Sequence, residues 1–132
     1  MSEPNIVAAI VTSSEGVLLG QRRDGRPPWT FPAGAAELDE SPQQTAMREC
    51  LEETGLVVKA GEVIGERDHP KTGRHMVYVA CEPANGTHVV VGDPEELVAV
   101  AWRPLADLAE LMPYGVFDPV MDHLKAVLAH AH

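Results

Sequence analysis

The sequence predicts an α/β (α+β) fold, one mixed sheet with helices on its faces. The observed order is strands, helix, strands, helix, which suits a sheet covered by helices. The extended runs are rich in β-branched residues and are bounded by turn residues, whereas the stretches after Ser41 and Phe117 follow a helical period. At 132 residues and 14.2 kDa, with no internal repeat or low-complexity linker, residues 1–132 read as one domain able to bury its own core.

The elements follow in order. Asn5–Ser13 is apolar and β-branched, Ser14-Glu15-Gly16 is a turn, and Val17–Arg22 resumes the extended pattern, giving a hairpin. Asp24–Pro28 is a turn-rich loop and Trp29–Pro32 a short extended piece. Ser41 followed by Pro42 is a helix start, and Gly55 a helix stop. Leu56–Arg67 is strand-like with a break at Gly61, Asp68–Gly73 is a loop, and Arg74–Glu82 is a strand. Pro83–Thr87 is a turn, His88–Val91 a short strand, Gly92–Pro94 a loop, and Glu95–Trp102 another strand. Leu105–Met112 and Phe117–Ala129 are helices, the second with Val116, Val120, Leu124, Val127 and Leu128 on one face.

Composition narrows the function classes. A net charge of −10 argues against a nucleic-acid polymer as partner, because such proteins neutralise phosphates with a basic surface. A small anionic ligand remains compatible if a bound metal and a few arginines reverse the sign locally. Cys50 and Cys81 are not spaced as ligands and read as small core residues. No run reaches membrane-spanning length, the N-terminal apolar run is too short for a signal core, and the cytoplasm is the expected compartment. His123 and His130 read as surface residues, while His69 and His75 flank a loop expected near the pocket.

The densest chemistry lies between Gly34 and Leu56, GAAELDESPQQTAMRECLEETGL. At about 100° per residue, Glu49, Glu52 and Glu53 share one helical sector, opposite Ala46, Met47, Cys50 and Leu51. Runs of acids are ordinarily solvated faces, but three carboxylates in one sector repel unless a positive charge sits among them. A hard divalent cation with oxygen ligands is the natural candidate.

Gly34, Glu40, Arg48, Glu49, Glu52, Glu53 and Gly55, with apolar residues at Cys50 and Leu56, reproduce the pattern G-x5-E-x7-R-E-U-x-E-E-x-G-U, where U is a bulky apolar residue. On these residues the chain resembles the Nudix hydrolases, and more weakly along its length their MutT-like branch. Cys50 replaces the usual Leu, Ile or Val, and Ala33 stands where the family commonly has glycine, a position whose carbonyl is often a metal ligand.

The resemblance implies an α/β/α sandwich with a mixed sheet in which this stretch forms a loop–helix–loop. It implies that Glu49, Glu52 and Glu53, with the Ala33 carbonyl and Glu96, hold Mg²⁺ or Mn²⁺. Arg48 would orient a glutamate bidentately, and Glu40 would brace the loop. Glu53 or Glu96 would be the general base, with Glu95 an alternative to Glu96. Arg23 is the arginine expected to reach the nucleotide and Arg74 the basic residue near the phosphates; Phe31, Phe117 and Trp29 are candidates to stack on a base. Phe117 takes the place where the branch's oxidised-guanine enzyme has an asparagine, so that selectivity is not expected to carry over.

The implied reaction is hydrolysis of a nucleoside diphosphate linked to another moiety. A (deoxy)nucleoside triphosphate is the leading substrate; ADP-ribose or a nucleotide sugar is the alternative, and a non-catalytic nucleotide-binding regulator the second alternative. The protein is expected to be a monomer or homodimer.

Overall fold

The structure, a computed structural model, describes residues 3–128. Strands β1 (Ile6–Ser13), β2 (Gly16–Arg22), β3 (Trp29–Thr30) and β4 (Ala33–Ala35) precede helix α1 (Pro42–Thr54). Strands β5 (Val58–Asp68), β6 (His75–Pro83) and β7 (Leu97–Arg103) follow it. A 3-10 turn (Leu105–Asp107) then runs into the short α2 (Leu108–Leu111), and α3 (Asp118–Leu128) closes the described chain.

β1 organises the fold. It pairs in parallel with β6 along its length, from Ile6 opposite Met76 to Val11 opposite Cys81. Its other edge is shared: the first half pairs with β4 (Ala8 opposite Ala33), the last two residues with β2 (Ser13 opposite Gly16). β4 thus wedges the hairpin apart, and β2 carries β3 and β7 away as an antiparallel group. The mixed group β4–β1–β6–β5 and this second group share the β1–β2 turn.

The β1 run is continuously apolar because both its faces are covered. Val7, Ala9 and Val11 pack toward Ala46 and Cys50 of α1, whereas Ala8 and Ile10 pack toward Leu108, Val120 and Leu124 of the later helices. Cys50 and Cys81 are free, buried thiols on the α1 side, as the sequence suggests. Burial pushes the first up to about 11 and the second to about 12, so both are inert packing groups at neutral pH.

Helix α1 begins and ends where its signals lie. The Ser41 hydroxyl accepts from the Gln44 N–H while the Gln44 side chain accepts from the Ser41 N–H, a reciprocal cap. At the other end Gly55 takes φ 71°, a left-handed conformation that costs glycine nothing.

Four expectations need correction. His88–Val91 is not a strand: the Val90 and Gly92 N–H groups donate to the Thr54 and Glu53 carbonyls, so this segment caps the end of α1. Met47 and Leu51 are exposed on α1; the buried face is Thr45, Ala46, Cys50, Glu53 and Thr54, rotated toward the carboxylates. Leu105–Met112 is a 3-10 turn plus one α turn rather than one helix. On α3, Val120 and Leu124 are buried and Leu128 packs beside them, but Val127 faces outward. His130 and Ala129 lie outside the described residues.

Candidate active site

Arg48 is the hub of the α1 carboxylates. Its Nε and Nη2 donate to the two oxygens of Glu40 at 2.7 and 3.0 Å, a fork-on-fork pair. Nη1 donates to Glu49 at 2.8 Å and Glu52 at 2.9 Å, and Nη2 also donates to the Ala35 carbonyl at 3.0 Å. All five guanidinium N–H groups have an acceptor, leaving none for a substrate. The glutamate that Arg48 holds bidentately is Glu40.

Glu40 braces the loop, its Oε1 also accepting from the Glu37 N–H and the Thr45 hydroxyl, both at 2.9 Å. The Arg48 guanidinium and these donors hold its carboxyl down at about 2.

Glu53 is the anomaly. It is buried at 6% exposure, and it receives no bond from Arg48. Burial, a hydrogen bond with Glu49, and the negative charges of Glu49 and Glu96 raise its affinity for a proton well above the ordinary carboxylate range. The Ala33 N–H opposes this by donating to it. Glu49 is raised too, chiefly by burial.

Two partly buried carboxylates forced together are a site short of positive charge, and their oxygens suit a hard divalent cation. Among the described residues no three acidic, histidine or cysteine side chains form a ready-made metal cage. Glu52 lies out at Arg48, its side chain 53% exposed.

Ala33 and Gly34 link these acids to the main cleft. Ala33 is ordinary extended strand with negative φ, a conformation alanine adopts freely, so its replacement of glycine leaves the backbone path intact. Gly34 is needed for closeness instead: a Cβ there would overlap the Glu49 carboxyl group.

Both residues line a cleft of about 800 Å³. Five of the chain's ten lysines and arginines (Arg22, Arg26, Arg67, Lys71 and Arg74) line it, and no Asp or Glu among the described residues does. In a chain of net charge −10 this is a deliberate reversal of sign.

Arg74 lines the cleft, with its Nη2 donating to the Pro4 carbonyl and its Nε beside Glu3. Phe31 and Trp29 line the same wall, Phe31 buried and Trp29 half-buried. Phe117 is there too, but its ring lies 5.2 Å from Tyr78 and beneath the Arg67 guanidinium at 4.6 Å.

Arg23 does not line the cleft: its N–H donates to the Glu96 carbonyl at 2.7 Å and its Nε to the Pro94 carbonyl at 3.0 Å. It positions the loop bearing Glu96, whose charge reaches Glu53. The cleft arginine of β2 is Arg22, its guanidinium paired with Asp24 and within the fields of Glu96 and Glu53. A bulge between Gln21 and Arg22 breaks the strand alternation and exchanges the two arginines. His69 lines the cleft and accepts the Lys71 N–H, while His75 bridges Glu66 and Asp68.

Sequence reasoning missed Arg22, Arg26, Arg67 and Lys71. Arg22 was passed over for its neighbour Arg23, and Arg26, Arg67 and Lys71 come from separate loops and strands that meet only in the fold.

With this geometry in view, the family model of the NUDIX domain matches residues 2–123, and the chain belongs to the Nudix family. It is a Nudix hydrolase of the MutT-like branch, similar over 94% of its length, at 34% identity, to a MutT-like protein of Streptomyces ambofaciens, 79% of which is covered. An RNA pyrophosphohydrolase of Roseobacter denitrificans is 38% identical, with 92% of this chain and 91% of that protein aligned. Other RNA pyrophosphohydrolases match over about half of this chain and 36–38% of their own length. Among solved structures, an ADP-ribose pyrophosphatase from Streptococcus suis superposes with a TM-score of 0.66 at 26% identity, covering 81% of this chain and 78% of that one. Among the described residues no helix is long and apolar enough to cross a membrane.

Proposed function

We propose that this chain hydrolyses a (deoxy)nucleoside triphosphate to the monophosphate and pyrophosphate with Mg²⁺ or Mn²⁺. The observation that carries the reading is the junction at Ala33–Gly34, where two partly buried carboxylates meet a cleft lined, among the described residues, by five cations and no acid. Glu49, Glu52, Glu53, Glu96 and the Ala33 carbonyl are the groups that would hold the cation. A bound Mg²⁺ or Mn²⁺ neutralises phosphate oxygens and acidifies a water.

The chain's own residues do the rest. Arg22 and the other cleft cations bind and orient the phosphates. Arg48 holds Glu49 and Glu52 in place without touching the substrate. Glu53 or Glu96 takes the proton of the attacking water. Arg23 fixes the Glu96 loop.

A second reading, hydrolysis of ADP-ribose or a nucleotide sugar, is favoured by the likeness to the Streptococcus suis pyrophosphatase. A regulator without turnover would have no use for the complete set of box glutamates, and all are present.

A substrate panel with Mg²⁺ and Mn²⁺ at mildly alkaline pH decides among these. It contains nucleoside triphosphates, oxidised triphosphates, triphosphate-ended RNA, ADP-ribose, nucleotide sugars and dinucleoside polyphosphates. Fastest turnover on a mononucleotide triphosphate, with pyrophosphate as product, is the expected result. Faster turnover of ADP-ribose would establish the second reading, and tight binding with no turnover anywhere would establish the regulator.

A further inference from the structure

The cleft arginines differ in what already occupies them. Arg22 spends Nε and Nη2 on Asp24, and Arg74 is held by Pro4 and Glu3. Arg26 sits exposed on the loop after β2. Arg67 is different: it is fixed in place, yet its terminal amino groups have no acceptor among the described residues.

Three contacts fix it. Its Nε donates to the Tyr78 hydroxyl at 3.3 Å, and its guanidinium carbon lies 4.6 Å from the Phe117 ring centre and 5.9 Å from that of Tyr78. The two rings are themselves packed at 5.2 Å and tilted by 38°. Phe117 has little room to move, because Gly65 backs onto it so closely that a Cβ there would sit 3.2 Å from its ring. A guanidinium stacked on an aromatic face keeps its N–H groups in the plane of the stack, where they meet a planar pair of acceptor oxygens.

From this we infer that Arg67 is a specificity-determining residue that grips a phosphate of the substrate through its two terminal amino groups. Phe117 and Tyr78 act through it as positioning residues, so Phe117 is not a base-stacking surface. The inference rests on the nucleotide-hydrolase reading above and deepens it. A triphosphate ends in an unesterified phosphate with several charged oxygens, which a rigid two-pronged donor recognises. In ADP-ribose and the nucleotide sugars the corresponding phosphate is esterified to a neutral sugar and offers less charge. Arg67 would therefore tell the two classes apart.

The test compares wild type with Arg67→Met, Arg67→Lys and Phe117→Leu, each checked for an unchanged circular-dichroism spectrum. KM and kcat are measured on a nucleoside triphosphate and on ADP-ribose, and calorimetry gives the affinity for an α,β-methylene triphosphate analogue. Arg67→Met is expected to raise KM and weaken analogue binding about 10-fold to 100-fold, the range of a charge-assisted hydrogen bond. The loss in kcat/KM should be at least about tenfold larger for the triphosphate than for ADP-ribose. Arg67→Lys should recover only part of the loss, and Phe117→Leu should weaken the analogue severalfold with the charge still present.

Unchanged triphosphate affinity in Arg67→Met, or an equal loss for both ligands, overturns the inference. Should the wild type hydrolyse nothing while Arg67→Met loses analogue affinity, the hydrolase reading fails and the role of Arg67 in binding stands. If Arg67→Met does not fold, Arg67→Lys and Phe117→Leu carry the same comparison.

Discussion

The acid side and the basic side of the site are built on opposite plans. On α1 every donor of Arg48 is matched to an oxygen, and the acids it holds belong to one continuous stretch, Glu40 to Glu52. In the cleft, cations come from β2, the loop after it, β5, the 69–73 loop and the residue before β6, and Arg67 keeps donors in reserve. Saturated groups cannot take a ligand, so they set geometry; groups with spare capacity meet the substrate. Glu53 stands between the two plans, a buried acid left outside the Arg48 network and turned toward the junction.

Breaking the acid side at that exception should have the largest effect. Glu53→Gln removes the proton acceptor and one oxygen ligand while keeping shape, and kcat should fall by about 10²-fold to 10⁴-fold in a pyrophosphate-release assay. Glu96→Gln beside it separates the two candidates for the base; wild-type kcat in both variants would exclude both.

Arg48→Met should come next. It strands Glu40 and Glu49 together, and we expect kcat to fall about 10-fold to 100-fold and Tm by about 5 °C, read by steady-state kinetics and thermal unfolding. Arg48→Lys should rescue little, since an ammonium cannot reproduce the fork on Glu40.

Gly34→Ala sharpens the comparison at the junction. The added methyl group pushes on the Glu49 carboxyl, so metal affinity measured by Mn²⁺ titration should weaken about tenfold while the fold, followed by circular dichroism, is retained.

The pH dependence of stability separates the two kinds of acid. Metal-free, folded Glu53 keeps a proton that the unfolded chain gives up above its ordinary value of 4.5, so stability should fall as pH rises from about 5 toward alkaline values. Glu53→Gln should flatten that decline in thermal unfolding with a chelator. Glu40, held at about 2 by Arg48, acts in the other sense: its contribution is complete above 4.5 and is lost as pH falls toward about 2.

The smallest effect should come from outside both walls. His75 is raised above 6.5 by its bonds to Glu66 and Asp68, so an NMR titration should show its pKa falling in Asp68→Asn with activity unchanged.

The same contrast explains what could be read from the chain. Residues 34–56 are legible because a helix converts spacing directly into geometry: three glutamates within five positions must share a face. Its ends were equally clear, since Ser41, Pro42 and Gly55 are local signals. The choice between Arg22 and Arg23 was not legible, because one bulged residue in β2 exchanges the sides of the strand. His88–Val91 has strand composition but serves to satisfy carbonyls at the end of α1, a tertiary demand that outweighs β propensity. The outward turn of Met47 and Leu51 has a similar origin, because burying Glu53 and Thr54 rotates the helix away from its most apolar face. Arg67 was hidden most completely, since nothing local marks an arginine whose partner is Phe117, fifty residues later.

The division of labour between cutting and holding is tested most directly by measuring binding and turnover together in Glu53→Gln. At a Mg²⁺ concentration that saturates both proteins, a non-hydrolysable triphosphate analogue should bind the variant within about threefold of wild type, while turnover of the matching triphosphate falls at least about 10²-fold. A parallel loss of affinity, or turnover near the wild-type rate, would contradict the account.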